Sequence, residues 1–267
     1  MAEVPTAPSG DDDLLFENRA RASSFGKVAA LYDLSRPTYP SDLIDLLVSR
    51  GSSPALDAGC GTGIMSRLLL ERGLDVLGVE PDPEMADVAR SRGVTVEVAT
   101  FEQFDDGGRR FGLLTAAQSW HWVEPVAGAT AAARILRPGG LVALVWNHAE
   151  MPTELLGGLS AIYERAVPGR AIPTVGHRPD SRPGGAAAEQ ALSDTGAFEA
   201  IGRAVFPWSR AYTTDEWVAQ LQTHSDHLLL DASTRRVLLD EVRAYLDAAG
   251  GSFTMPYHCR AVLATRR

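Results

Sequence analysis

No run of about 18 apolar residues occurs in the chain, so no helix long enough to cross a bilayer is expected. Cysteine is scarce, with Cys60 and Cys259 the only two among 267 residues. Two cysteines cannot build a disulfide framework, nor, with six dispersed histidines, a spaced zinc site. Both read as reduced and structural, Cys60 as a small group that packs well inside a glycine-rich loop. Basic clusters are lacking as well. Lys and Arg are scattered and the formal net charge is -9, so the electrostatic footprint of a nucleic-acid binder is missing and phosphate-backbone substrates are disfavoured. The N-terminal segment holds Pro5, Pro8 and the acidic run Asp11 to Asp13 where a targeting signal would need positive and then apolar residues. The expectation is a cytoplasmic protein with no membrane and no nucleic-acid partner.

What is present suits an ordinary globule. Hydrophobic residues make up 45% and charged residues 22%, enough apolar material for a core, and the length fits one large α/β domain carrying a lid. We expect a flexible tail over 1–20 and a single domain over 21–267, with lid insertions at 151–195 and 212–251. Arg21 to Leu34 reads as helical, Pro37 and Pro40 interrupt it, and Ser41 caps a second helix. Short apolar strands at Pro54 to Ala58, Leu74 to Val79, Val94 to Ala99, Phe111 to Gln118 and Leu141 to Trp146 then alternate with helices, the last strand following an Arg137 to Gly140 turn. Beyond His148 come a helix from Glu154 to Ala166, a Pro- and Gly-rich loop from Pro168 to Gly185, a helix of small residues, a strand Phe198 to Phe206, helices between Thr214 and Ala248, and a final strand Ser252 to Thr265 pairing antiparallel with Phe198 to Phe206. The sum is a doubly wound, mostly parallel, seven-stranded Rossmann-like sheet with an antiparallel last strand and a helical lid.

The most informative segment is Leu56-Asp57-Ala58-Gly59-Cys60-Gly61-Thr62-Gly63, a strand end that turns through three alternating glycines into a helix. Such a loop lets a ligand approach the backbone, and the helix N-terminus offers free N–H groups to an anionic part such as a carboxylate. The next strand ends in Glu80, nineteen residues after Gly61, where a carboxylate can accept bonds from both hydroxyls of a ribose. A dinucleotide site is disfavoured because its third glycine is replaced by Ile64, counted from Gly59, or by Ser66, counted from Gly61. Asp57 also suits an ammonium group better than a pyrophosphate.

On these residues the chain resembles the class I S-adenosylmethionine-dependent methyltransferases, whose first motif is hydrophobic-Asp-x-Gly-x-Gly-x-Gly. The resemblance spans about Ala30 to Asn147, and Gln118-Ser119-Trp120-His121-Trp122, Leu136 to Gly140 and Val145-Trp146-Asn147 point to the small-molecule branch that includes trans-aconitate-methyltransferase-like enzymes. It implies that Asp57, Gly59, Gly61 and Gly63 cradle the methionine part of S-adenosylmethionine, that Glu80 holds the ribose, and that Pro81 and Met85 pack on adenine. Met85 suits the core equally well. Thr100 and Phe101 match the segment of an adenine-edge contact, although the usual acid is missing at position 100. Gln118 is expected to line the methionine end of the cofactor.

Strand four ends at the sheet edge where open α/β folds bind ligands. His121 suits a general base for an acceptor O–H or N–H, with a capping or packing role as the alternative. Trp120 and Trp122 divide between acceptor pocket and core, and Trp146 and Tyr212 are candidate acceptor contacts. Tyr32 and Arg36, four apart, share a helix face that can fold over the cofactor, with Arg36 pairing with the cofactor carboxylate or a substrate acid. Surface Arg and core Tyr is the plainer reading. His224 and His227 are spaced for a metal but lack a third ligand, and no metal is expected. The function implied is transfer of a methyl group from S-adenosylmethionine to a small-molecule acceptor by in-line displacement. The alternatives are a noncatalytic cofactor-binding regulatory module and an NAD-dependent oxidoreductase.

Overall fold

The computed structural model describes residues 25–169 and 183–267. The expected tail over 1–20 and most of the Pro168 to Gly185 loop lie outside the described residues. A 3-10 turn, Gly26–Val28, leads into α1 (Ala29–Ser35) and α2 (Ser41–Arg50). Then come β1 (Ala55–Ala58), α3 (Ile64–Glu71), β2 (Val76–Val79), α4 (Pro83–Ser91), β3 (Thr95–Glu97), β4 (Phe111–Ala117), α5 (Pro125–Ile135) and β5 (Leu136–Ala149). The remainder is α6 (Thr153–Ala166), α7 (Pro183–Asp194), β6 (Phe198–Thr213), α8 (Thr214–Leu221), α9 (Ser225–Leu228), α10 (Ala232–Ala248) and β7 (Ser252–Arg266).

The strands form one sheet in the order β3-β2-β1-β4-β5-β7-β6. Only β7 runs antiparallel to its neighbours. The apolar runs of the strands are explained by burial on both faces. Leu56, Leu114, Val142, Leu144 and Val262 pack on one side beneath α5 and α7. The alternate residues Ala55, Leu113, Ala143, Val145 and Ala261 pack on the other beneath α2 and α3. Because the chain winds outward in both directions from β1 and β4, the crevice at their carboxyl ends is the switch point where this topology receives ligands.

Four sequence expectations change. Ser41 is the first residue of α2 rather than its cap, since Pro40 holds the N-cap position without a side-chain bond. The Arg137 to Gly140 turn is a bulge inside β5, where the register with β4 jumps between Phe111 and Leu113 and Gly139 takes a φ of 79°. Strand β6 continues past Phe206 to Thr213, because Phe206, Trp208, Arg210 and Tyr212 keep alternating and Pro207 is tolerated on an edge strand. The helical segment expected from residue 212 therefore begins at Thr214, where Thr213 and Glu216 form a capping box. Finally, α7, within the first expected lid insertion, packs on the sheet. Its Ala188, Ala191 and Leu192 join the main core with Phe198. A separate core of Leu155, Leu159, Trp217, Leu221, Leu238 and Val242 unites α6, α8 and α10 with the far ends of β6 and β7.

Helix α5 contains Gly128, where a Cβ would run into Val123 Cγ1 and stand 3.0 Å from Trp120 Cη2. Alanine normally favours a helix over glycine by about 1 kcal/mol, but overpacking a filled core costs about 1–3 kcal/mol. Gly128→Ala is therefore expected to lower stability in urea unfolding, and a variant as stable as the parent would disprove the close packing.

Candidate active site at the carboxyl edge of the sheet

The three loop glycines have different reasons to be glycine. All carry positive φ, 64° at Gly59, 57° at Gly61 and 83° at Gly63. A Cβ on Gly59 would lie 2.5 Å from Ser119 Cβ, and one on Gly63 would lie 2.9 Å from Val94 Cγ2. These two glycines let the loop pass the β4 end and the α4–β3 turn. At Gly61 a Cβ meets only Met85 Cε, at 3.4 Å. That glycine alone leaves an open face above the loop.

Two carboxylates stand beside this opening. Asp57 lies in β1 and is 1% exposed, with its oxygens accepting bonds from Ser66 Oγ at 2.6 Å and Thr115 Oγ1 at 2.8 Å. Burial pushes it up to about 6 even though these hydroxyls pull it down. Glu80 is 7% exposed and accepts the N–H groups of Gly61 at 2.8 Å and Asp82 at 3.0 Å. Burial raises it to about 7, the two N–H groups oppose this, and Asp82 and Asp57 add to it. Among the described residues neither carboxylate meets a cation. Asp82 caps α4 by accepting from Glu84 and Met85, and it also accepts the Gly26 N–H at 3.1 Å. The Asp-Pro pair at 82–83 is a helix-start signature, whereas Ser66 gave no sign of its contact with Asp57. Thr115 is a polar residue inside an otherwise apolar strand, the one local signal of its role.

The α1 segment crosses this edge. Asp33 holds Arg67 and Arg92, each at 2.9 Å. Phe25 touches the rings of Tyr32 and Trp122, with centroids 5.9 and 6.3 Å away. At the end of α1, the Arg36 guanidinium stacks on Tyr32 at 4.6 Å and donates through Nε and Nη2 to Thr223, and Arg210 donates to the carbonyls of Ser35 and Arg36. Tyr32 and Arg36 thus share a face and bridge sheet and lid.

After β4, Gln118 adopts a φ of 57°, a left-handed conformation rare outside glycine. Its N–H bonds Val145 O at 2.8 Å and its Nε2 bonds Asn147 O at 3.0 Å. The Asn147 side chain in turn bonds Thr38 O and Trp208 Nε1, so it ties β5 to the α1–α2 linker and to β6. The next turn splits its tryptophans. Trp122 and His121 are half-buried with rings 4.9 Å apart, whereas Trp120 is 3% exposed and packs on Phe101.

Three candidate acceptor contacts, Trp120, Trp146 and Tyr212, are buried in the ligand-free fold. Trp120 belongs to the core because Gly128 opens a slot for its indole, and Trp146 lies in that same core. Tyr212 is enclosed in the lid core by Trp217, Phe253 and the Tyr257 hydroxyl, 2.7 Å from its own. Of the adenine candidates, Phe101 and Met85 are buried, Thr100 is half-exposed and Pro81 is exposed. His227 is buried in the lid beside Tyr163, whose hydroxyl lies 2.9 Å from Nε2. Among the described residues no group of three or more His, Cys, Asp or Glu side chains is placed to hold a metal. No described helix is long and apolar enough to cross a membrane.

An open α/β sheet with a glycine loop and an acid at the end of the next strand defines a nucleotide-cofactor fold, and comparison with known proteins narrows it. Residues 56–144 match the methyltransferase domain family. An uncharacterised methyltransferase of Mycobacterium bovis is 31% identical over 254 residues, 92% of this chain and 97% of that one. A malonyl-[acyl-carrier protein] O-methyltransferase of Salmonella typhimurium is 31% identical over 154 residues, 55% of this chain and 61% of that one. A solved protein of Anaeromyxobacter dehalogenans, described as a type II methyltransferase, shares the fold with a TM-score of 0.59 at 23% identity, over 86% of this chain and 97% of that one. The chain belongs to the class I S-adenosylmethionine-dependent methyltransferase family.

The loop geometry separates two substitutions. Gly59→Ala meets both a strained φ and Ser119, and is expected to unfold at clearly lower temperature. Gly61→Ala carries the backbone strain alone, about 1–3 kcal/mol, and should fold while losing at least tenfold in S-adenosylhomocysteine affinity by calorimetry. Equal affinity in Gly61→Ala and the parent would remove the open face from the site.

Proposed function

We propose that the protein transfers a methyl group from S-adenosylmethionine to a small-molecule acceptor. The observation that carries this is the pair of buried carboxylates, Asp57 and Glu80, held without a cation beside the open face of Gly61. A ligand bringing ribose hydroxyls and an ammonium group fits that pair, because it supplies the positive charge that the described residues do not, together with further donors to the carboxylates. When bound, S-adenosylmethionine supplies an electrophilic methyl group on a sulfonium, and the transfer is an in-line displacement.

In this reading the chain's own work is positioning and exclusion of water. Glu80 exchanges the Gly61 N–H for the ribose hydroxyls. Asp57 and the Gly59, Gly61, Gly63 loop hold the methionine end, with Gln118 at its far wall and Arg36, stacked on Tyr32, receiving the carboxylate. Pro81, Met85, Thr100 and Phe101 border the adenine. Trp122 contributes to the acceptor side, and the lid of α6, α8 and α10 closes over it. The Salmonella relative's name specifies an oxygen acceptor, which supports an oxygen nucleophile here. His121, half-buried at the sheet edge, takes the proton when that nucleophile is a hydroxyl. The net charge of -9 and the enclosing lid favour a small acceptor over nucleic acid.

The raised carboxylates give a signed test. In the ligand-free fold Glu80 releases its proton near pH 7, and ribose hydroxyls donate to the ionised form, so affinity should rise with pH. We expect binding of S-adenosylhomocysteine to strengthen from pH 5.5 to about 7.5, by up to about tenfold per unit below pH 7, then level off. Glu80→Gln should bind more weakly and lose most of this slope. The linkage to stability has the opposite sign. The folded values of Asp57 and Glu80 lie above those of the unfolded chain, so their contribution is full at low pH and is lost as pH rises through about 6 and about 7. A flat affinity profile in the parent would count against Glu80 as the ribose partner.

The acceptor side is tested separately by screening metabolites with a labelled methyl donor, then by His121→Ala on the acceptor found. Where a hydroxyl must be deprotonated, turnover should fall about 10²–10⁴-fold with cofactor affinity nearly intact. A variant with unchanged turnover and a lower unfolding temperature would make His121 a packing residue.

A further inference from the structure

The guanidinium of Arg36 is held along one edge by a single residue of the lid. Nε donates to Thr223 Oγ1 at 2.9 Å and Nη2 donates to Thr223 O at 2.6 Å, across 187 positions of sequence. The ring of Tyr32 supports one face of the guanidinium at 4.6 Å. Thr223 is itself fixed, fully buried in the turn between α8 and α9, with its hydroxyl donating to Gln220 O at 2.7 Å. Among the described residues no carboxylate pairs with Arg36, and its Nη1 edge makes no hydrogen bond. A cation fixed in this way along one edge, with no hydrogen bond at the other, keeps that other edge for an anion.

We infer that Thr223 is a positioning residue that presents Arg36 to the cofactor's carboxylate and thereby couples cofactor capture to closure of the lid over the acceptor. The inference rests on the reading of Arg36 given above. Thr223 touches neither cofactor nor acceptor. It fixes the plane of the guanidinium, so that the Nη1–Nη2 edge meets a carboxylate end-on through two charge-assisted bonds. The same contact works in reverse. A carboxylate that immobilises Arg36 lowers the entropic cost of keeping Thr223, and with it α8 and α9, docked on α1. The lid then closes on a cofactor that carries its amino-acid end, before the acceptor is enclosed.

The test compares S-adenosylhomocysteine with 5′-methylthioadenosine, which keeps the nucleoside and thioether but lacks the carboxylate. By calorimetry, Thr223→Val should weaken S-adenosylhomocysteine by about 3–10-fold and leave 5′-methylthioadenosine unchanged, while Thr223→Ser, which keeps the hydroxyl, should bind both like the parent. Arg36→Gln tests the underlying reading, because it should erase the preference for the carboxylate-bearing ligand. If Arg36→Gln leaves both affinities unchanged, the assignment of Arg36 fails. If Arg36→Gln weakens S-adenosylhomocysteine and Thr223→Val does not, or if Thr223→Val weakens both ligands equally, the positioning role is overturned and the assignment stands. Hydrogen exchange on the unmodified protein gives an independent readout. Residues 214–230 should become protected with S-adenosylhomocysteine and not with 5′-methylthioadenosine, and equal protection by both would overturn the coupling.

Discussion

Asp57 and Glu80 lose most of their hydration when the sheet and its helices close around them, and the described residues offer no cation in return. Hydroxyls and backbone N–H groups satisfy their oxygens, which keeps the fold viable, yet both carboxylates remain raised above their ordinary range. The architecture around them follows from this condition. The β1 end must turn sharply, so the loop takes left-handed glycines. The backbone N–H of Ser66 in the first turn of α3 serves Asp57, and those of Gly61 and of Asp82, the cap of α4, serve Glu80. Ser66 and Thr115 occupy positions that an apolar core would otherwise claim. A site that buries negative charge without neutralising it is prepared for a ligand that brings donors and positive charge with it.

The second organising feature is the crossing of α1 over the carboxyl edge. It is a short helix with little apolar burial of its own, and tertiary bonds hold it at both ends. Asp82 takes the N–H of Gly26 before it, and Asp33 gathers Arg67 and Arg92 along it. Arg210 covers the carbonyls at its end. Its contacts therefore report on the loops after β1, β2 and β4 at once, and through Thr223 on the lid. A segment held by polar contacts rather than by a deep core can shift when a ligand changes those contacts. The main sheet, filled on both faces, cannot.

The lid has its own interior, in which Trp217, Tyr212, Phe253 and Tyr257 pack with leucines from α6, α8 and α10. This explains why Tyr212, a candidate acceptor contact, is enclosed. The ends of β6 and β7 extend beyond the main sheet and supply one wall of this second core, which makes this antiparallel edge pair the joint between the cofactor fold and the helices of the second core. Asn147 stands at that joint, bonded to the α1–α2 linker and to Trp208.

The sequence by itself determined the alternating α/β order, the antiparallel closing strand, the glycine loop and the acid at the end of the second strand. These depend on local pattern: apolar runs of strand length, an Asp-Pro helix start, and glycines spaced where no Cβ can follow the turn. Tertiary structure alone decided the rest. Whether Trp120 or Trp122 faces the site depends on the slot left by Gly128 in a helix that begins several residues later. That Tyr212 is enclosed, that α7 serves the main core, and that Ser66 and Thr115 hold Asp57 depend on partners brought together by folding. The bond from Arg36 to Thr223 spans most of the chain, and no local pattern encodes a contact between residues 187 positions apart. Period and turn chemistry act over a few neighbours, whereas the identity of a buried side chain's partner is fixed only when distant segments compete for the same space.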